Sequence, residues 1–304
     1  MSVSANRAGS PARLAWRRLR RDKIAMVSLG TVVFLVLVAI FAPVLTALNG
    51  HPPGASYPAT LNDTLGGLPR GGWGGVSARF WLGVEPATGH DLFSLAVYGA
   101  RTSLFIAGTA TLVTVAIALL VGIPAGYFGG WVDQVLSRFT DVVMSFPALI
   151  FMIALMAVLT DVPRIPLLIT LMSVFNWPYL ARLVRGQVIS LREREFIEAA
   201  ASLGARNGAI LFTELLPNVL SPIIVTSMLM VPVYIGLEAA LSFLGLGVSP
   251  GTPSWGEMLS ASLTWYATDP MYFIVPGGLL FITVLAFNLF GDALQNALDP
   301  RKIR

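Results

Sequence analysis

Six long apolar stretches constrain this chain more than any other feature. They lie near 24–48, 102–128, 140–160, 165–182, 217–244 and 272–294. A helix needs roughly 20 apolar residues to cross the hydrocarbon of a bilayer. Membrane strands alternate apolar and polar positions, which these runs do not, so helices are the form expected. A single run would also suit a buried helix of a soluble domain, but six together would not. Hydrophobic residues make up 55% of the chain and charged ones only 12%, about half the charged share of a soluble domain. The fold class is therefore all-α integral membrane, with six transmembrane helices. The fourth run is the shortest, flanked by Pro166 and Pro178. Pro124 and Pro147 fall inside others, where neighbouring helices can satisfy the freed carbonyls.

Arginine and lysine set the orientation. With both termini in the cytoplasm, 16 of the 20 basic residues lie inside, and only Arg70, Arg79, Arg101 and Arg164 lie outside. The reverse topology would invert that ratio. This gives an organisation of a cytoplasmic basic segment over 1–23, a first transmembrane helix over 24–48, and an extracytoplasmic loop over 49–101. A core with five transmembrane helices follows over 102–294, then a cytoplasmic tail over 295–304. The first helix is expected to be retained, because its apolar stretch is too long for a cleaved signal and no small-x-small site follows. In the basic segment, Ala12, Ala15, Trp16 and Leu19 recur at helical spacing among arginines, as in a helix lying on an anionic membrane surface. A plain positive-inside flank is the other reading. Residues 49–75 hold eight glycines and four prolines, the mark of an irregular loop.

Several chemistries are excluded. Without cysteine there is no disulfide or thiolate site. A phosphate-binding loop needs Gly-Lys followed by Ser or Thr. The two lysines are Lys23, which follows Asp22, and Lys302, which precedes Ile303. No ATP site of that type is present, and no cofactor is expected in the chain itself. His51 and His90 both fall in the outer loop, so no zinc helix or membrane-embedded histidine base exists. No basic and aromatic residues interleave as on a nucleic-acid face. Asp133, Asp141, Glu238 and Asp292 are placed near helix ends, whereas ion-coupled carriers hold ionisable groups at mid-membrane.

The third cytoplasmic segment reads EFIEAAASLGARNGAILFTELLPN from Glu195 to Asn218. Phe196, Ala199, Ala200 and Leu203 share one helical face, with Arg194, Glu195, Glu198 and Ser202 on the other side. Such a helix can pack on its own membrane domain or dock into a groove of a soluble partner. Gly204 then permits a left-handed turn. A second helical stretch runs to Pro217, which opens the next membrane segment.

The run Glu198-Ala199-Ala200, then Gly204, then Leu216-Pro217, resembles the EAA motif of binding-protein-dependent ABC importer permeases. Glu214 stands where the general motif favours isoleucine. LGVEPATGHDLFSLAVYGARTSL from Leu82, SFLGLG from Ser242, PSWGEML from Pro253 and VLAFNLFGDALQNALDPR from Val284 are similar to the C-type subunit of the dipeptide, oligopeptide and nickel branch. There Glu85 replaces the usual aspartate, and His90 and Leu95 the usual arginines. The resemblance implies the type I, MetI-like importer permease fold. It also implies a bacterial cytoplasmic membrane location and a B-type permease partner within the lipid. Two cytoplasmic ATPase subunits would bind ATP and Mg, and an extracytoplasmic solute-binding protein would deliver cargo. It makes the loop holding Phe196, Glu198, Ala199, Ala200, Leu203, Gly204, Leu216 and Pro217 the coupling contact with the ATPase. The rival expectation is an ATP-independent secondary carrier or channel subunit.

Overall fold

The computed structural model describes residues 16–298. Helix α1 (Lys23–Ile40) starts where the Asp22 carboxylate accepts the N–H groups of Ile24 and Ala25 at 2.9 and 3.1 Å. A cap of this kind stabilises a helix by about 1 kcal/mol. The first apolar run then breaks at Phe41, and α2 (Ala42–Asn49) begins with Pro43 in its first turn, where a missing N–H costs nothing. Of the amphipathic face proposed for 11–23, Ala12 and Ala15 lie outside the described residues. Leu19 is buried against Ala25, Phe290, Ala293 and Ala297, while Trp16 is exposed beneath the Arg20 guanidinium.

Between α2 and α3 the chain is an irregular loop with a two-stranded ribbon, β1 (Leu61–Asn62) antiparallel to β2 (Leu68–Pro69). Leu61, Phe80 and Val84 give it a small core, and His51 stacks on Phe80 at 4.6 Å. Helix α3 (Leu92–Phe128) begins at Leu92 and not at 102, because Asp91 caps it by accepting the Ser94 N–H at 2.9 Å.

The third apolar run is not one straight helix. It is α4 (Gly130–Ser145) and α5 (Ala148–Val158), bent by 72°. Pro147 has no N–H and forces Phe146 into extended backbone, which ends α4. Helix α6 (Arg164–Arg192) passes through Pro178 and continues ten residues beyond the expected end at 182. The remaining helices are α7 (Glu195–Ser202), the single turn α8 (Asn207–Ala209), α9 (Leu216–Phe243), α10 (Trp255–Ser262) and α11 (Pro270–Leu298). Residues 295–298 of the expected tail are thus helical, and 299–304 lie outside the described residues. Among the described residues five helices are long and apolar enough to cross a membrane, or six if the bent α4–α5 pair is taken as one span.

Helices α3 and α6 pack backbone against backbone. A Cβ on Gly122 would lie 2.7 Å from the Ala181 carbonyl oxygen, and one on Gly126 would lie 2.7 Å from Val188 Cβ. Small residues four apart let membrane helices approach until their backbones touch. Two of the hydrophobic clusters draw on these helices. Ile106, Met156, Leu168, Met172 and Tyr234 fill one, and Ile123, Trp177, Val184, Val188, Ile210 and Leu215 fill the other. Two ion pairs brace α4 against α6. Arg185 donates twice to Asp133 at 2.5 and 2.6 Å, and Arg182 donates to Asp141 at 2.6 Å.

Candidate functional site

The loop between α6 and α9 folds as the motif suggests, but it is anchored by a residue the periodicity did not single out. Ile197 is buried and packs with Val184, Val188, Ile210 and Leu215. Ala200 is half-buried against the same cluster. Phe196 and Ala199 are exposed, and Leu203 is 88% exposed. Of the apolar stripe, Phe196, Ala199 and Leu203 therefore face away from the chain's own membrane domain, and Ala200 turns toward it. Glu195 and Glu198 occupy the first turn of α7, both exposed. Carboxylates there complement the positive end of the helix dipole.

Gly204 stops α7 in the left-handed conformation, with φ +80°. The Ala205 N–H donates to the Ala200 carbonyl at 3.1 Å, and the Gly204 N–H to that of Ala201 at 3.0 Å. This crossed pair is a Schellman ending, which satisfies two otherwise orphaned carbonyls and needs a residue without a Cβ penalty.

The return to the membrane is a wide π-helical turn over Ile210–Leu215. Pro217 cannot donate to the Thr213 carbonyl, and the Leu216 N–H reaches back five residues, to Leu211. Leu216 is half-buried and Pro217 exposed at the start of α9. The loop is tied to the end of α3 by two further contacts. Tyr127 donates its hydroxyl to Asn207 Oδ1 at 3.1 Å, and Arg192 Nη1 donates to the Gly126 carbonyl at 3.2 Å. Six residues of the motif thus lie on α7 and its ending, and Leu216 and Pro217 open α9. The exposed Phe196 and Leu203 side chains suit insertion into a partner's groove. Among the described residues no group of three or more His, Asp or Glu side chains is placed to hold a metal ion.

Two features escaped the sequence reading. Ile197 sits one place off the stripe, and only the neighbouring helices show which edge of α7 faces home. Glu238 was placed near a helix end, and it does fall in the last two turns of α9, but it is fully buried. An acidic cluster lies at the end of the bundle opposite α7, where the loop before α3 meets α10 and α11. Glu85 accepts from the Tyr272 hydroxyl and contacts His90 Nδ1 at 2.8 Å. Burial, with Glu85 and Glu238 nearby, pushes the Glu257 carboxyl up to about 7.

Comparison with known proteins matches residues 118–304 to the family described as binding-protein-dependent transport system inner membrane component. Residues 10–62 match the N-terminal transmembrane domain of oligopeptide transport permease C. The chain is 40% identical to the dipeptide transport system permease protein DppC of Alkalihalophilus pseudofirmus, over 96% of this chain and 90% of that protein. It is 38% identical to the glutathione transport system permease protein GsiD of Escherichia coli O157:H7, over 94% and 89%. In fold it is similar to a chain of the inward-facing MetNI methionine ABC transporter, with a TM-score of 0.55 at 19% identity, covering 68% of this chain and 98% of that one.

Proposed function

Since the chain belongs to the binding-protein-dependent transport system inner membrane components, it is a multi-pass permease subunit of an ATP-binding-cassette importer, and we propose that its 196–217 loop is the contact through which the ATPase drives it. The observation that carries this reading is the outward apolar stripe of Phe196, Ala199 and Leu203 on a helix anchored from behind by Ile197. A loop helix serving only its own domain would bury that stripe.

Two ATPase subunits holding ATP and Mg would dock at this loop, and a B-type permease would complete the path. An extracytoplasmic binding protein would hand over the solute, and both termini would be cytoplasmic. The names of the relatives favour a dipeptide, an oligopeptide or glutathione as cargo. A groove between α6, α9 and α11 fits a wetted or partnered side of the bundle. Gln187, Asn218, Ser221, Thr226 and Gln295 line it, and such side chains in membrane spans rarely face lipid.

The test is Gly204→Val in the assembled complex. A β-branched residue in the left-handed region costs about 1–2 kcal/mol, and it would turn α7 away from its setting. Since ~1.4 kcal/mol is a tenfold change in binding, ATPase co-purification and uptake should each fall about tenfold while membrane insertion stays normal. Full uptake with normal ATPase retention would reduce the loop to a connector.

A further inference from the structure

The stretch PSWGEML, distant from the coupling loop in sequence, is held by a hydrogen-bonded knot centred on one buried carboxyl group. Glu238, fully buried on α9, accepts hydrogen bonds from Ser103 of α3 at 3.1 Å, Ser242 of α9 at 2.8 Å and Ser254 at 2.8 Å. Ser254 is the N-cap of α10 and accepts the Glu257 N–H at 3.0 Å. Ser103 in turn accepts the Trp255 N–H at 3.2 Å, and the Trp255 indole donates to the Ala96 carbonyl at 3.0 Å. Two glycines at this knot leave no room for a Cβ. A Cβ on Gly256 would lie 2.6 Å from Ala239 Cα and 3.0 Å from Glu238 Oε1, and one on Gly99 would lie 2.9 Å from Trp255.

The helix that carries Glu238 is the one that grows out of the coupling loop. Residues Asn207–Phe243 form one helical run of 37 residues, about 55 Å long at 1.5 Å per residue. One end carries the loop and the other carries the clasp on α10. We propose that Glu238 is a positioning residue for transport, which makes α10 follow α9 so that movement delivered at the loop reaches the outer end of the subunit. The proposal rests on the coupling role of the loop. The chemistry suits the task. Three hydroxyl groups from three segments converge on one carboxyl group, so α10 cannot leave α9 without stranding buried polar atoms.

The experiment uses the complete complex in proteoliposomes with its binding protein. Radiolabelled dialanine or glutathione is the probe, whichever the wild type imports. The quantity read is ATP hydrolysed per solute imported, which a general loss of folded protein leaves unchanged. Glu238→Ala should retain its ATPase subunits and raise that ratio about tenfold, the factor expected for ~1.4 kcal/mol of lost coupling. Glu238→Gln, whose amide oxygen can still accept from Ser242 and Ser254 while its NH2 group donates to Ser103, should restore most of the coupling. If Glu238→Ala fails to assemble, Ser254→Ala removes the link to α10 together with its N-cap, leaves the Ser103 and Ser242 bonds to Glu238 in place, and should raise the ratio in the same direction. A wild-type ratio in Glu238→Ala, or in Ser254→Ala where the first does not assemble, overturns the proposal. ATPase retention is read in the same preparations and in Gly204→Val. Normal retention in Gly204→Val would defeat the coupling-loop reading separately, whatever the Glu238 result.

Discussion

Glu257 is the residue at which pH should be felt. Burial raises its carboxyl from 4.5 to about 7, Glu85 and Glu238 add to the rise, and His90 opposes it. The folded state therefore favours the neutral form. That stabilisation is complete below about pH 4.5 and is lost as pH rises through about 7. The melting midpoint of the solubilised complex should fall between pH 5 and pH 8, and Glu257→Gln should lessen the fall. An unchanged pH dependence in that variant would show that the group titrates normally. At this scale the sequence was legible wherever backbone chemistry speaks. Gly204 announced its left-handed turn because the turn needs no tertiary partner. Ile197 and Glu238 were not legible, since their roles depend on Val184, Val188, Ser103 and Ser254, far away along the chain.

Among the elements, the α3–α6 pair carries the most specific geometry. Gly122 and Gly126 touch α6 backbone and valine side chains at distances no Cβ tolerates. Gly126→Leu should force the helices apart and leave the Arg192 contact to the Gly126 carbonyl unmade. Overpacking of this kind costs about 1–3 kcal/mol. It should appear as a lower melting temperature and reduced yield of folded subunit, whereas Gly108→Leu, with open space around its Cβ position, should melt like the wild type. Equal melting of both variants would discount the close contact. The pattern Gly-x-x-x-Gly is visible in the sequence, but apolarity alone guided the placement of the spans. The same criterion started α3 at 102, because Arg101 interrupts the run while the capping Asp91 lies upstream. The sequence reads Pro124 and Pro147 as tolerated inside their runs and Pro178 as a flank of the fourth. Tolerance holds for Pro124 and fails at Pro147, where the exposed Phe146 takes up the extended backbone, while Pro178 lies inside a continuous helix and flanks nothing.

For the whole molecule, the arginine count assigns the outer loop and the α7 loop to opposite sides of the membrane. The natural absence of cysteine allows a direct check with an impermeant maleimide. Asp63→Cys, exposed beside the ribbon, should label on intact cells. Gly208→Cys, exposed with open space for its side chain, should label only after permeabilisation. The reverse pattern would overturn the orientation. Beyond orientation, the π-helical turn at Ile210–Leu215 governs how the two ends of the long helix face one another. The buried positions step from Ile210 to Leu215, Val219 and Ile223, one spacing of five followed by two of four. An α-helical wheel continued backward from the span would put Leu211 inside and carry Ile210 about 100° away. The extra residue is thus an angular adjustment between loop and span. Natural insertions or deletions of one residue in this turn would rotate the projecting loop about the helix axis in steps of about 100°, while every contact deeper in the bundle stays in place.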